Sequence, residues 1–181
     1  MTRRTISALL LAGILGTGLI ACGDDDEGAS GSTSTTISGP QRSAKDVNVS
    51  EPENVKQKPS IAVPDGKPPR GLEQEDLVAG TGTAAKSGDT IKANYVGLAW
   101  STGQEFDASW DRGETIDVEL GAGSVIPGWD RGLVGVKKGT RRLLVVPPDQ
   151  GYGAQGQPPA IGPNETLVFV VDVTGVTPKK N

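Results

Sequence analysis

Apolar and polar residues alternate over much of the chain after residue 70, which is the pattern of β-strands with one buried face. The clearest case is residues 115–120, where Ile116, Val118 and Leu120 share one face and acidic residues lie on the other. Less regular apolar runs complete the set. Together they predict strands over residues 72–79, 90–96, 105–109, 115–120, 140–146 and 166–173.

One stretch, residues 124–130, changes from strand-like to helix-like. It opens with β-branched residues, and Pro127 suits a first helical turn, where its missing N–H would lack a partner anyway. We therefore predict one short helix that carries Trp129 and ends near Gly135 or Gly139. An antiparallel sheet curled over one helix is an α+β fold.

The N-terminus has the features of an export signal. Arg3 and Arg4 precede an apolar run that is short for a transmembrane helix. The run ends at Cys22, the single cysteine of the chain, in a sequence that resembles a bacterial lipobox. We expect residues 1–21 to be removed and Cys22 to carry a lipid anchor, although a chance cysteine after an ordinary signal peptide gives the same pattern.

Residues 22–69 are rich in acidic residues, Gly, Ser, Thr and Pro and have little to bury. This composition predicts a disordered tether, with residues 61–63 as a candidate short strand that docks on the domain. The folded domain is then expected to span residues 70–181. Because of the anchor, it is expected on the extracytoplasmic face of a bacterial membrane.

Composition excludes several classes of function. With no histidine and one cysteine, the chain has no imidazole triad and no ordinary catalytic zinc site. A net charge of −4 argues against nucleic-acid binding. We expect no cofactor and no metal. The cations Lys137, Lys138, Arg141 and Arg142 flank a predicted turn and are expected to form a solvated face.

The aromatic residues are few, and all lie between Tyr95 and Phe169, so we expect them to line one substantial site. Residues 147–164 show neither period nor helix formers, and so long a loop is usually functional or disordered. Tyr152, the aromatic residue of this loop, favours function. From the residues alone, Trp129, Phe169 and Val125 are interpreted as plain core.

Six short motifs follow one another along the domain. They are Tyr95-Val96-Gly97, Phe106-Asp107-Ala108-Ser109, Leu120-Gly121, Val125-Ile126-Pro127-Gly128-Trp129, Gly151-Tyr152-Gly153 and Thr166-Leu167-Val168-Phe169. In their order and spacing, residues 72–176 resemble the FK506-binding-protein (FKBP) family of peptidyl-prolyl cis–trans isomerases. The resemblance implies an antiparallel half-barrel of five to six strands around one short helix.

The resemblance also implies a site. Trp129 would be the floor of an apolar pocket whose walls are Tyr95, Phe106, Val125, Ile126 and Phe169. The Ile126 amide and the Tyr152 hydroxyl would donate hydrogen bonds to a bound peptide. Asp107 would be the polar residue at the rim, held by Arg112, and Ile161 would close the top.

Two positions depart from the commoner family pattern. Ile116 stands where many members have an aromatic residue, and Gln157 where many have histidine. Both are expected at the pocket edge, where they would alter rate or sequence preference. Trp100 and Trp110 lie outside the motifs and suit either hairpin packing or peptide contact, and Asp107 also suits a turn cap.

The implied chemistry needs no nucleophile or metal. Rotation about an X–Pro bond has a barrier of about 18–20 kcal/mol because the amide is conjugated. The twisted amide has less charge separation, so an apolar pocket favours it over the planar ground state.

The expected function is thus a monomeric, lipid-anchored prolyl isomerase that assists folding of exported proteins by acting on their X-Pro segments. Two alternatives stay open: a non-catalytic chaperone or Pro-peptide-binding module that uses the same groove, and a structural envelope lipoprotein. FK506-like macrolides are a further candidate partner of the groove.

Overall fold

The computed structural model describes residues 39–180. The predicted signal segment, Cys22 and residues 22–38 of the predicted tether lie outside the described residues. In the described part, no helix has the length and apolar character needed to cross a membrane. The strands are β1 (Asn48–Val49), β2 (Ile61–Ala62), β3 (Glu73–Val78), β4 (Thr90–Ala99), β5 (Glu105–Ala108), β6 (Ile116–Glu119), β7 (Arg141–Val146) and β8 (Leu167–Thr177). The α-helices are α1 (Ser109–Arg112) and α2 (Pro127–Gly132), and 3₁₀ turns cover Ala44–Asp46, Pro148–Gln150 and Gly153–Gln155.

Six strands form one antiparallel sheet in the order β3-β7-β8-β4, with β5 and β6 on opposite halves of β4. The expected fold class, an antiparallel sheet with few short helices, is confirmed. The alternation and the apolar runs together located all six strands, although β8 runs on to Thr177. The one-turn helix α1 was not predicted, because residues 110–113 carry no periodic signal.

The inner face of the sheet packs against α2 and forms the main core. Strand β8 contributes four apolar residues to this face, as its alternation predicts. The buried members from the sheet and α2 are Ile91, Ala93, Tyr95, Val118, Trp129, Leu144, Val146, Leu167, Phe169, Val171 and Val173. The core therefore places two buried aromatic side chains, Tyr95 and Phe169, next to the helix that carries Trp129.

Arg142 fixes α2 against the sheet. Its Nη1 donates to the carbonyl oxygens of Gly132, at 2.8 Å, and Val134, at 3.2 Å. Its Nε and Nη2 donate to the carboxylate of Asp76 in β3, at 2.5 and 2.9 Å. A cation at a helix C-terminus satisfies carbonyls that lack intrahelical partners and complements the helix dipole. The position of Trp129 is thus tied to β3 and β7.

The outer face of the sheet is covered by residues 40–69. Its buried members are Ala44, Val47, Val96, Leu98, Trp100, Ala108, Leu143, Val145, Val168 and Val170. The tether prediction was wrong for residues 40–69, because the few apolar residues of that segment meet an apolar sheet face. Trp100 belongs to this outer cluster and donates to Gly66 O at 2.9 Å, so the aromatic residues do not all line one site.

The expected solvated face was also wrong for both arginines. Arg141 is 0% exposed and Arg142 is 7% exposed. Arg141 forms a bidentate ion pair with Asp172 of β8, with N–O distances of 2.5 and 2.9 Å. Two buried cations next to a turn are stable only because each is fully paired, which residue spacing does not reveal.

Candidate active site

Four aromatic rings form three edge-to-face contacts, two of which involve Trp129. The ring centroids of Tyr95 and Phe169 each lie 5.3 Å from the centroid of Trp129, at interplanar angles of 87° and 86°. Phe106 contacts Phe169 in the same way, with centroids 5.7 Å apart. Edge-to-face contacts are favourable, and perpendicular rings also leave space between them. The four rings therefore form the floor and walls of a hollow.

The local sequence makes room for this arrangement at Gly97. This residue pairs with Phe169 across β4 and β8. A Cβ at position 97 would lie 2.7 Å from the ring of Phe106 and 2.8 Å from the ring of Phe169. Only glycine lets both rings approach the backbone of β4 so closely, which explains the glycine of the first motif.

The hollow is an open cavity of about 190 Å³ on the inner face of the sheet. Its lining residues are Tyr95, Phe106, Asp107, Ile116, Ser124, Val125, Ile126, Trp129, Tyr152 and Phe169. All seven residues expected to act in catalysis are among them, together with Ile116 and Val125. They come from four strands, one helix and two loops, so only the folded chain brings them together.

Trp129 belongs to the main core and also lines the cavity. It is 4% exposed, and its indole N–H has no hydrogen-bond partner within residues 39–180. A buried donor without a partner is costly, and a residue needed only for packing would gain from a side chain without that group. Val125 packs against the same core, but it is only partly buried and lies at the cavity wall.

A polar network closes one side of the cavity. The Tyr95 hydroxyl donates to one carboxylate oxygen of Asp107, and Arg112 Nη1 donates to the other. Arg112 Nη2 also donates to the Tyr95 hydroxyl at 3.1 Å, and its guanidinium carbon lies 5.9 Å from the Tyr95 ring centroid. Arg112 does not line the cavity itself but contacts Asp107 and Tyr95 at its rim.

These contacts set the charge states at the rim. Desolvation alone would raise the pKa of Asp107, but hydrogen bonds from Tyr95 and Arg112 outweigh it and hold that pKa below its usual value. Burial, followed by the hydrogen bond to Asp107, raises the pKa of Tyr95. The rim therefore keeps an ionised carboxylate beside a neutral phenol at neutral pH.

Two hydrogen-bond donors at the cavity are not used within the described part of the chain. Neither the N–H of Ile126 nor the hydroxyl of Tyr152 takes part in a hydrogen bond among residues 39–180. Burial and then the charge of Asp107 raise the pKa of Tyr152, so its hydroxyl keeps its proton at neutral pH. Both donors are available to a carbonyl oxygen in the cavity.

Asp130 orders the loop that carries Val125 and Ile126. Its two carboxylate oxygens accept hydrogen bonds from the N–H groups of Gly121 and Gly123, both at 2.9 Å. Sequence reasoning missed Asp130 and the lining residue Ser124. Asp130 follows Trp129 directly, and an acidic side chain in the first turn of a helix after a Gly-rich loop is the signal that could have identified it.

Gln157 and Ile161 lie beside the cavity rather than in it. They pair backbone to backbone, with N–O distances of 2.8 and 3.0 Å. They line a neighbouring cavity of about 300 Å³ that shares Phe106, Asp107 and Tyr152 with the first. Ile161 is 2% exposed and packs into the core, so the loop tip is held down at this point.

A family match and two relatives point to the same family of proteins. The family described as "FKBP-type peptidyl-prolyl cis-trans isomerase" matches residues 81–174. An FK506-binding protein of Streptomyces anulatus is 47% identical over 121 residues, which cover 66% of this chain and 98% of that protein. A probable FK506-binding protein of Corynebacterium glutamicum is 40% identical over 117 residues, or 65% of this chain and 97% of that protein.

Two solved structures are similar to this chain in both fold and sequence. The crystal structure of FkpA from Escherichia coli matches with a TM-score of 0.55 and 44% identity, over 61% of this chain and 50% of FkpA. AtFKBP13 matches with a TM-score of 0.55 and 36% identity, over 59% of this chain and 94% of AtFKBP13.

Proposed function

We propose that this chain, which belongs to the family of FKBP-type peptidyl-prolyl cis–trans isomerases, rotates X-Pro bonds in the aromatic cavity above Trp129. Membership, and with it peptidyl-prolyl isomerase activity, follows from the family match and the relatives. One observation supports the role of the cavity above all. Four aromatic rings surround an open hollow whose lining includes two donors without partners in the described part of the chain.

The mechanism is differential binding of the twisted amide. The planar amide is conjugated and polar. Rotation about its C–N bond removes that conjugation and has a barrier of about 18–20 kcal/mol. An apolar site therefore stabilises the twisted form more than the planar one. About 4 kcal/mol of preferential stabilisation would give roughly a thousandfold acceleration.

The polar groups at the cavity orient the bound peptide and the aromatic walls. The Ile126 N–H and the Tyr152 hydroxyl would hold a peptide carbonyl while the prolyl ring lies over Trp129. Asp107 transfers no proton in this mechanism, because both of its oxygens are engaged by Tyr95 and Arg112. Its role is to keep the Tyr95 wall fixed while the amide turns.

A peptide exchange experiment tests this assignment. The purified full-length chain should accelerate cis–trans exchange in a short X-Pro peptide, and Trp129→Ala should remove most of the acceleration. A Lys86→Ala variant, at an exposed residue that does not line the cavity, is the control and should keep full activity. Binding without acceleration would instead support the non-catalytic chaperone.

The cellular role that we propose is folding of exported proteins near a membrane. Its support is the signal-like segment with Arg3 and Arg4 and the lipobox-like ending at Cys22. Two acyl chains on one cysteine would anchor the protein stably. Metabolic labelling with a radioactive fatty acid should mark the wild-type chain and leave Cys22→Ser unmarked, and equal labelling of both would refute the anchor.

The relatives are named as FK506-binding proteins, and we propose that the same cavity accepts such macrolides. FK506 should then compete with the X-Pro peptide for one site. Unchanged peptide exchange at saturating FK506 would contradict this.

A further inference from the structure

The N-terminal segment, residues 40–69, contacts the element that carries part of the active site. The Lys58 ammonium lies 2.8 Å from Glu105 Oε1 and 2.7 Å from Asp111 Oδ1. Glu105 directly precedes the cavity residues of β5, and Asp111 directly precedes Arg112. One cation therefore joins the two ends of the β5–α1 element.

Most of the other polar contacts of this element join it to one strand, β4. Among the strands of residues 39–180, β5 lies at the sheet edge and pairs only with β4, in a register that shifts next to Gly97. Helix α1 is a single turn that ends at Gly113 in the left-handed region, with φ of 68°. Ser109 accepts a hydrogen bond from the Tyr95 N–H at 2.9 Å and donates one to Asn94 Oδ1 at 3.2 Å. The contacts of the Tyr95 hydroxyl with Asp107 and Arg112 also join the element to β4. Short edge elements with few contacts open more readily than the rest of a domain.

Lys58 in turn projects from a backbone that is firmly held. The buried guanidinium of Arg141 donates to the Gln57 carbonyl at 2.9 Å and to the carbonyls of Glu51 and Pro52 at 3.3 Å. Arg141 is itself paired with Asp172 in the middle of the sheet. The residue before Lys58 is thus fixed to the most buried cation of the domain.

We propose that residues 40–69 are a working part of the isomerase, and that Lys58 is a positioning residue for its active site. By holding Glu105 and Asp111, Lys58 fixes the backbone that presents Phe106, Asp107 and Arg112. Lys58 does not line the cavity. The inference rests on the catalytic role proposed for the cavity.

The alternative is an ordinary surface ion pair with no effect. The side chains of Lys58, Glu105 and Asp111 are 33%, 35% and 59% exposed. Partly exposed pairs add little to global stability. A positioning role therefore predicts a change in activity without a matching change in stability, and the two explanations separate experimentally.

The test uses the full-length chain with Lys58→Ala, Lys58→Arg and the control Lys56→Ala. Lys56 is an exposed lysine of the same segment without an ion pair among residues 39–180. At low salt, Lys58→Ala should lower kcat and kcat/KM together by about threefold, with KM unchanged. Lys58→Arg should recover most of the loss, Lys56→Ala should match the wild type, and the urea midpoint should stay constant throughout.

Salt gives a second readout. In about 1 M NaCl an exposed ion pair is screened, so the activity ratio of wild type to Lys58→Ala should approach one. Asp111→Asn removes one partner of the same cation and should show the same salt dependence. Equal low-salt activity of Lys58→Ala and Lys56→Ala, or a ratio that salt leaves unchanged, would overturn the proposal.

A double variant separates this inference from the proposed function. Tyr152→Phe with Asp107→Val removes two polar groups of the cavity itself. If that variant loses activity while Lys58→Ala does not, only the positioning role fails. If the double variant also keeps full activity, the catalytic assignment of the cavity fails.

Discussion

Trp129 meets Phe169 almost at right angles, with ring centroids 5.3 Å apart and an interplanar angle of 86°. The two residues come from α2 and β8, and Tyr95 of β4 repeats the same geometry on Trp129. Perpendicular contacts hold the indole without stacking on it, which leaves a hollow rather than a filled core. The site therefore depends on exact spacing between the sheet and the helix.

Gly97→Ala should reduce both stability and activity. The added methyl would lie within 3 Å of the rings of Phe106 and Phe169, so one wall of the cavity has to move. We expect a loss of about 1–3 kcal/mol in the free energy of unfolding and a clear fall in kcat/KM. Urea denaturation and peptide exchange measure the two effects.

Gly71→Ala is the matched control for Gly97→Ala. A Cβ at position 71 would have no heavy atom within 4 Å, and its backbone is not in the left-handed region. This variant should keep the wild-type activity and be equally or slightly more stable. Wild-type activity in Gly97→Ala would contradict the packing described here.

Asp130→Ala should lower kcat/KM several-fold with a smaller effect on stability. The change removes the acceptor for the N–H groups of Gly121 and Gly123, which are exposed and can turn to water. The expected stability loss is about 1 kcal/mol, but the loop that presents Ile126 would lose its fixed position. Asp117→Ala, an exposed carboxylate on β6, is the control and should keep full activity.

The rim should stay ionised well below neutral pH. The pKa of Asp107 is lowered in the folded chain, so its stabilising contribution is complete above the unfolded pKa and is lost as pH falls through the folded value. Activity should therefore be flat between about pH 5 and 8, with the rim contacts failing only below about pH 4. An NMR titration of the Asp107 carboxyl should give a midpoint below 3.8.

Tyr95→Phe should raise the Asp107 pKa. The variant removes one hydrogen bond to the carboxylate but leaves its desolvation, which acts in the opposite direction. A midpoint that does not rise in this variant would show that Tyr95 does not stabilise the ionised form.

Asp172→Ala should be among the most destabilising changes in the chain. It leaves the guanidinium of Arg141 buried without its carboxylate, and breaking a buried pair in this way costs about 3–5 kcal/mol. Urea denaturation should show this loss, whereas Lys92→Ala, at an exposed pair, should stay within about 0.5 kcal/mol of the wild type. A loss below about 1 kcal/mol would mean that the pair is not essential to the fold.

Much of the sheet was predictable because period-two alternation is a local property. The strand over residues 115–120 shows this best, since each apolar residue reports the buried face directly. The members of the site followed from short motifs that resemble a known family. The geometry of the site could not be predicted in this way, because the contact between Trp129 and Phe169 joins residues far apart in the chain.

The outer layer could not be predicted from local signals. Residues 40–69 have the composition of a linker, and Ala44 and Val47 are buried only because β4, β7 and β8 also have an apolar outer face. Strands buried on both faces lose their alternation, and β7 shows this, with all of its residues buried. The same strand hides Arg141, whose role depends on Asp172 and on backbone carbonyls of residues 51–57.

The most direct test of the central claim is exchange spectroscopy on a short X-Pro peptide with the full-length chain, which reports binding and the rate of rotation in one experiment. The account predicts strong acceleration by the wild type. For Tyr152→Phe with Asp107→Val it predicts retained peptide binding and largely lost acceleration. No acceleration by the wild type, or full acceleration by the double variant, would contradict it.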